Sequence, residues 1–334
     1  MASEPTSSAK RHKPNRATGS ANLSEPIWIQ NGITIIGRDK PFQALSTLNS
    51  PHGLYVDDNQ TVYIADWKNH RVVECKPGAI QSHVVAGGHR QGNRMNQLNM
   101  PTDVTIERDT GSLLICDWKN RRVVRWPRQN DTIEGETIIE NISCYGLTTD
   151  SEGFLYVSDT EKHEVRRYRL GKTEYKVVAG GNGKGNCLNQ LNDPSYIFVD
   201  ADQSIYVSDW VNHRVMKWAK DAIDGIIVAG GRGEGDDLTQ LSHPNGIIVD
   251  SLGTIYVADA GNNRVMRWAK EATYGTVIVG GKGDGAEANQ LSWPIGISFD
   301  QNNHLYVAEF GNHRVQRFEM ELSSCLMNTD PVKH

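Results

Sequence analysis

The sequence has no long hydrophobic run, few cysteines and no helix-length periodicity, and each absence excludes a class of protein. No apolar stretch in its 334 residues approaches the ~20 residues that a membrane span needs, and the N-terminus lacks the apolar core of a signal peptide. The five cysteines form no Cys-x-x-Cys pair and require no oxidising compartment. These absences predict a cytoplasmic protein without membrane contacts.

An excess of basic residues is also absent. The net charge is -5; residues 1–26 hold four basic and two acidic groups, which leaves 31 basic and 38 acidic residues, or -7, for the rest. A surface of this sign is a poor general binder of polyanions. The Ser-, Thr- and Pro-rich segment 1–26 is expected to be a disordered arm. Its basic run, Lys10, Arg11 and Lys13, leaves a nuclear location open as an alternative.

What the chain does contain is a unit of about fifty residues that recurs six times. Each unit opens an apolar strand with a proline, or with Cys144 in the third, and an acid follows the second strand at spacings of 51, 42, 50, 50 and 50. Four short β-type runs bounded by Gly, Asn and Asp fill each unit. Self-similarity at this period is typical of repeat arrays, and four antiparallel strands per unit predict a propeller blade.

The count of outer strands predicts how the ring closes. Five of the six units are followed by a fourth strand, and a similar run at residues 33–37 precedes the first unit. We therefore expect an all-β, six-bladed β-propeller of four-stranded antiparallel blades, in which residues 33–37 complete the last blade and cover its edge. The predicted organisation is the arm over 1–26, the propeller over 27–322 and a C-terminal tail over 323–334.

Two of the units carry the clearest resemblance to a known family. The runs YVADAGNNRV at 256–265 and YVAEFGNHRV at 306–315 resemble the NHL repeat, and the match recurs in all six units. The chain is similar to the NHL domain of tripartite-motif-type proteins without their RING and B-box parts. That resemblance implies a six-bladed propeller, and it implies an association with ubiquitin ligases in which this chain supplies recognition rather than ligase activity.

Five units share an acid-x-x-Asn-x-Arg pattern around the loop between the second and third strands. A carboxylate five residues before an arginine predicts a charge-assisted hydrogen bond that holds the loop. We therefore interpret the following as structural loop pairs rather than catalytic groups: Asp66 and Arg71, Asp117 and Arg122, Asp209 and Arg214, Asp259 and Arg264, Glu309 and Arg314. The third unit has Lys162 and Glu164 in place of Asn and Arg, which predicts a less rigid loop.

The remaining motifs that could bind phosphate or metal give only weak signals. The glycine-rich runs at 180–185, 230–235 and 280–285 lack the helix start and the Gly-Lys-Ser/Thr ending of a phosphate loop. The loop histidines, His70, His163, His213 and His313, are predicted to be surface groups. His52 and His243 flank blade-opening prolines, but they are offset in register, and a catalytic zinc needs about three converging ligands. We predict no catalytic residue, no bound metal and no cofactor.

The residue after the acid is often aromatic, which indicates a partner surface. In a closed ring, Phe310, Trp67 and Trp118 belong to neighbouring blades and are predicted to form an aromatic arc with Lys68 and Lys119 beside it. Residues at the channel mouth complete the predicted partner-binding set: His52, Tyr145, His243, Asn245 and Trp293. Indoles flanked by cations have the composition of a binding hot spot, whereas rings that lie flat between blades would only seal them.

Three functions remain open at this point. The leading prediction is a monomeric, non-catalytic scaffold that recognises a protein or peptide partner on this face. RNA recognition is the first alternative, favoured by aromatics beside lysines and opposed by the net charge. The second alternative is an enzyme, by analogy with the metal-dependent lyases and lactone hydrolases built on six-bladed propellers.

Overall fold

The computed structural model describes residues 27–37, 47–79, 81–128 and 134–321; the predicted arm and C-terminal tail lie outside them. The strands of the first three blades, with two that precede them, are β1 (Ile27–Trp28), β2 (Ile33–Gly37), β3 (Pro51–Val56), β4 (Val62–Asp66), β5 (Arg71–Cys75), β6 (His83–Gly87), β7 (Pro101–Ile106), β8 (Leu113–Asp117), β9 (Arg122–Trp126), β10 (Glu136–Glu140), β11 (Cys144–Thr149), β12 (Phe154–Asp159), β13 (Glu164–Arg169) and β14 (Tyr175–Gly180). The others are β15 (Pro194–Val199), β16 (Ile205–Asp209), β17 (Arg214–Trp218), β18 (Ile226–Gly230), β19 (Pro244–Val249), β20 (Ile255–Asp259), β21 (Arg264–Trp268), β22 (Thr276–Gly280), β23 (Pro294–Phe299), β24 (Leu305–Glu309), β25 (Arg314–Phe318) and β26 (Met320–Glu321).

These strands form six four-stranded antiparallel sheets, which confirms the predicted all-β propeller. Five blades use consecutive strands: β3 to β6, β7 to β10, β11 to β14, β15 to β18 and β19 to β22. The helical residues of the described ranges are four three-residue 3-10 turns, Trp67–Asn69, Trp118–Asn120, Trp210–Asn212 and Ala260–Asn262. None of the described helices has the length and apolar character to cross a membrane.

The sixth blade closes the ring as predicted. Its strands run in the order β2, β25, β24, β23, and Ile33 lies opposite Arg317 while Gly37 lies opposite Arg314. A short pair that the sequence pattern did not indicate, β1 with β26, extends the closure. It anchors Trp28, which is 5% exposed and packs in the core between the fifth and sixth blades.

The hydrophobic core consists of six clusters, one between each pair of neighbouring blades. Strands buried on both faces, such as β4 and β8, explain why their sequences are almost continuously apolar. A leucine from the loop before a blade also enters several clusters: Leu98, Leu191, Leu241 and Leu291, each fully buried. These leucines hold the loops of one face against the blades.

The innermost strands are irregular where they meet at the centre of the ring. In β3 the ladder shifts register between Pro51 and Leu54, so that the two residues between them leave the regular pairing. Neighbouring blades approach closely at this point, because a Cβ on Gly296 would lie 2.5 Å from the carbonyl oxygen of His52. The shift therefore brings the residues that follow each opening proline to the central channel.

Candidate functional site

The loop between the second and third strands of a blade is held by a buried carboxylate. Asp66 accepts hydrogen bonds from Arg71 Nε at 2.7 Å, from Asn69 Nδ2 at 2.8 Å and from the amide of Asn49 at 2.7 Å. Burial raises the pKa of Asp66, and its contacts with Arg71 oppose that shift. All its oxygens are used within the scaffold, which leaves no carboxylate for chemistry.

The same pair recurs in the other blades with this pattern. The Nε-to-carboxylate distances are 2.7 Å for Asp117 and Arg122, 2.7 Å for Asp209 and Arg214, 2.7 Å for Asp259 and Arg264, and 2.6 Å for Glu309 and Arg314. In the third blade an arginine two residues further on replaces the missing one, because Arg166 lies 2.9 Å from Asp159 and 2.7 Å from Glu164. That loop therefore keeps an ion pair despite its departure from the pattern.

The loop histidines are not simply surface groups. In four blades the imidazole Nδ1 accepts the amide of the residue before the next blade's opening residue, and Asn263 Oδ1 does the same in the fifth. These hydrogen bonds, which we call blade latches, are Met100 to His70 at 3.1 Å, Asp193 to His163 at 3.1 Å, His243 to His213 at 3.2 Å, Trp293 to Asn263 at 2.8 Å and Ser50 to His313 at 2.8 Å. Each latch joins two blades, so these side chains belong to the scaffold.

The residue after the acid begins a 3-10 turn in four blades and an ordinary turn at Thr160 and Phe310, and it lies at the rim of the channel. Three rings from neighbouring blades meet there: Trp67 lies 6.5 Å from Trp118 and 6.0 Å from Phe310, measured between ring centroids. Tyr145 continues the row, 6.3 Å from Trp118. These four half-buried rings form one continuous surface, the aromatic platform.

Two lysines border the platform. Lys119 Nζ lies 3.8 Å from the ring centroid of Trp118, and Lys68 Nζ lies 6.0 Å from those of both Trp67 and Phe310. Both lysines are exposed, so each can leave its ring to meet a ligand. The platform thus combines apolar faces with mobile positive charge.

His52 lies under the platform and is held neutral. Its ring stacks on Trp67 at 5.0 Å and contacts Tyr145 and Phe310, while Nδ1 lies 3.1 Å from the carbonyl oxygen of Ser50. Burial lowers the pKa of His52 to about 4. It therefore supports the rings from below instead of carrying a charge.

Asp103 and Tyr196 were missed by sequence reasoning. Both stand two residues after the blade-opening residue, where the other four blades have glycine, and that exception was the available signal. Asp103 accepts the amide of Leu147 at 3.0 Å, and Tyr196 donates across the ring to the carbonyl oxygen of Thr102 at 2.9 Å. Burial raises the pKa of Asp103 to about 8 and also raises that of Tyr196. The centre of the ring is therefore largely uncharged near neutral pH.

The remaining predicted partner-binding residues lie elsewhere on the ring. The ring of His243 lies 4.6 Å from that of Trp210 and 6.1 Å from that of Trp293, measured between centroids. Asn245 is 1% exposed and donates to the carbonyl oxygen of His243 at 3.0 Å. These side chains form a second group: no ring contact among the described residues connects it to the platform, but the amide of Phe310 donates to the carbonyl oxygen of Trp293 at 3.1 Å.

Among the residues that the structure describes, one cluster of potential metal ligands occurs, and it lies at this second group. The ligand atoms of His213, Glu234 and His243 all lie within 4.8 Å of one another. His52, which the sequence suggested as a partner for His243, is not among them. His52 lies in the first blade and His243 directly precedes the fifth, and the histidine beside His243 is His213, with ring centroids 4.7 Å apart.

The repeat family is visible by comparison as well as in the geometry. The family model described as the NHL repeat matches residues 48–75, 241–267 and 291–318. The chain contains NHL repeats. The platform residues Trp67 and Phe310 lie within the matched segments, directly after the second strand of their blades.

Solved structures similar to this NHL propeller share its fold at low identity. An auxiliary nutrient binding protein from Bacteroides thetaiotaomicron is 14% identical with a TM-score of 0.68, over 87% of this chain and 76% of that one. Virginiamycin B lyase from Staphylococcus aureus is 13% identical with a TM-score of 0.54, over 86% of this chain and 98% of the lyase. At such identities the likeness shows the fold alone.

One curated relative matches a short part of the chain. Mouse peptidyl-glycine alpha-amidating monooxygenase is 29% identical over 79 residues, which are 23% of this chain and 8% of that protein. The match covers between one and two blades' worth of sequence, so it supports a shared repeat and carries no activity over to this chain.

Proposed function

We propose that this NHL propeller is a non-catalytic binding scaffold that recognises a protein or peptide partner on the face carrying the aromatic platform. The observation that supports it is the platform itself, in which Phe310, Trp67, Trp118 and Tyr145 from four consecutive blades meet. Rigid aromatic side chains supply large contact area at low entropic cost, which is why they dominate binding hot spots.

The polar groups that recur from blade to blade are used within the scaffold and are not needed for this proposal. The loop carboxylates are saturated by arginine and backbone donors, and four loop histidines are used as latches between blades. What differs between blades, and is therefore not required for building a blade, is the ring that follows the acid. A ligand-specific surface is expected where repeats differ.

An extended peptide fits this surface better than a flat protein patch does. The platform follows the channel rim for four blades, and its rings alternate between parallel stacking, at 27° for Trp67 and Trp118, and edge contact, at 75° for Trp118 and Tyr145. Apolar side chains of the peptide would pack on the ring faces, while Lys68 and Lys119 would meet its carbonyl oxygens or acidic side chains.

RNA is the second candidate, and one contact favours it. Lys119 Nζ lies 3.8 Å from the ring centroid of Trp118, and when this exposed lysine leaves the ring face a base could stack there while the ammonium meets a phosphate. The net charge of -5 counts against extended phosphate contacts. Binding that weakens steeply with salt, with a slope near one released counterion per phosphate contact, would favour RNA over a peptide.

The experiment is capture from source lysate with a platform variant and a matched control. The bait is the full chain; the variant is Trp67→Ala/Trp118→Ala, and the control is Trp210→Ala, which removes the same repeat position outside the platform. Captured protein and RNA are sequenced, and each candidate is then titrated directly against the three baits. Loss of about 2 kcal/mol or more of binding free energy in the platform variant alone is expected for hot-spot rings. Equal affinity for all three baits would contradict the proposal.

A further inference from the structure

Three neighbouring blade junctions share one scaffold and differ only in side chains. At each junction the same three positions meet: the loop residue of the latch, a residue of the glycine-rich connection, and the residue before the opening proline. They are occupied by His163, Lys184 and Asp193, then by His213, Glu234 and His243, then by Asn263, Asp284 and Trp293. The latch hydrogen bond is present in all three, at 3.1, 3.2 and 2.8 Å.

The middle position is held equally well at each junction. Lys184, Glu234 and Asp284 form isolated parallel bridges with Leu191, Leu241 and Leu291, which are fully buried. The backbone of the junction therefore accepts lysine, glutamate or aspartate at this position. Because two histidines and a glutamate occur together at one junction only, the structure of the blade does not account for them.

The distances at this junction are close to those of a coordination site. Glu234 Oε1 lies 3.5 Å from His243 Nδ1, and Glu234 Oε2 lies 3.9 Å from His213 Nε2. Ligands of a tetrahedral zinc ion, with bonds of about 2.0–2.1 Å, are about 3.4 Å apart. Rotation of the exposed Glu234 side chain can shorten both of these distances, and the imidazoles must also move, because the three ligand atoms are only known to lie within 4.8 Å of one another.

We propose that His213, Glu234 and His243 bind a divalent transition-metal ion of the Zn²⁺ class between the fourth and fifth blades. Two imidazoles and one carboxylate suit zinc and its borderline-soft neighbours, whereas calcium and magnesium prefer more oxygen ligands. Three protein ligands leave a fourth position open to water or to an incoming group. The site lies on the same face as the aromatic platform, on other blades.

The surroundings would support the ligands. Ser242 Oγ, whose residue is 6% exposed, donates to Glu234 Oε1 at 2.8 Å and so orients the carboxylate. Trp210 and Trp293 enclose the ring of His243, with centroids 4.6 and 6.1 Å away. An oriented carboxylate and a ring held by two indoles reduce the reorganisation that binding requires.

Metal binding has a definite cost at His213. Its Nδ1 accepts the amide of His243, which places the proton of the neutral ring on Nε2. Coordination through Nε2 needs the other tautomer and must release this latch. The affinity is therefore expected to be below that of a preformed structural zinc site, and the His243 amide should exchange with solvent faster when metal is bound.

The test uses Zn²⁺ itself, titrated by calorimetry into the metal-free full chain, with Co²⁺ absorption as a report on coordination geometry. Glu234→Gln keeps the latch and should weaken binding by at least about 100-fold, and Ser242→Ala by about 10-fold. His163→Ala, which removes a latch at the neighbouring junction, is the matched control and should leave the affinity unchanged. Thermal melts without metal establish that each variant is folded.

A transplant tests whether the three positions are sufficient. Lys184→Glu combined with Asp193→His recreates the set beside the existing His163, and the variant should bind one more zinc ion than the wild type. The proposal would be overturned if the wild type bound zinc no more tightly than Glu234→Gln does. It would also be overturned if zinc left the hydrogen-exchange rate of the His243 amide unchanged. Failure of the transplant to gain an ion would contradict the argument from the shared scaffold. None of these outcomes depends on the platform's partner.

Discussion

Replacing Asp117 with alanine should be among the most destabilising single changes in the propeller. The carboxylate is fully buried and accepts Arg122 Nε at 2.7 Å, Asn120 Nδ2 at 2.7 Å and the amide of Asn99 at 2.6 Å. Asp117→Ala leaves a buried guanidinium without its counter-charge and the amide of the half-buried Asn99 without an acceptor. Breaking a buried pair in this way costs about 3–5 kcal/mol.

The companion variants separate charge from hydrogen bonding. Asp117→Asn keeps an acceptor in the same place, so it should cost less than the alanine variant. Arg122→Ala loses more than the pair, because Arg122 also donates to the carbonyl oxygens of Asn93, Arg94 and Gln97 at 3.1, 3.1 and 2.9 Å. The double variant Asp117→Ala/Arg122→Ala should show a coupling of up to about 3 kcal/mol.

Urea unfolding followed by tryptophan fluorescence measures the wild type and the four variants. The reasoning fails if Asp117→Ala costs less than about 1 kcal/mol, or if the single changes add without coupling. Such a result would mean that water reaches the loop and solvates Arg122, contrary to its burial. Because Trp118 follows Asp117 directly, the alanine variant should also weaken partner binding at the platform.

Three further changes test the ring and its centre. Ile36→Ala, in the closing strand, should cost about 2–5 kcal/mol and at least as much as Val279→Ala at the equivalent place in the fifth blade; a much smaller loss in thermal unfolding would refute tight closure. Burial raises the pKa of Asp103 in the folded protein to about 8, so the protonated carboxyl stabilises the fold below the pKa that it has in the unfolded chain, and this stability is lost as the pH rises through 8. The free energy of unfolding of Asp103→Asn should therefore rise relative to that of the wild type between pH 5 and 9. A difference that stays constant with pH would contradict this. His313→Ala, which leaves the buried amide of Ser50 without its acceptor, should cost about 1–3 kcal/mol, and an unchanged melting temperature would show that the latch is dispensable.

The blades could be predicted from the sequence because the repeat itself indicates where each strand begins and how the strands pair. A strand of alternating or continuous apolar residues, a proline at the start and an acid five places before an arginine all lie within one unit of about fifty residues. The outer strand at Ile33–Gly37 could be assigned to the last blade by counting alone. The β1–β26 pair could not, since two residues on each side carry no readable pattern.

The candidate site was predictable only where the ring order of the blades decides which residues are neighbours. That order placed Phe310, Trp67 and Trp118 together, and the structure adds the contact distances and Tyr145. It did not reveal that His52 stacks beneath Trp67, or that His243 lies beside His213 and Glu234. Those contacts join residues from different loops whose separation depends on rotamers and on the path of the connection.

The sequence by itself determined the number of blades, their internal pairing, the strand that closes the ring and the carboxylate that holds each loop. These features depend on contacts within one repeat or on the closure of the ring, and sixfold repetition makes them recognisable in the sequence. The tertiary structure decided what happens between blades: the latches made by the loop histidines, the uncharged centre around Asp103, and the meeting of two histidines with Glu234. The reason is that a periodic sequence specifies the register inside a unit, whereas the rotation of one blade against the next sets which side chains touch.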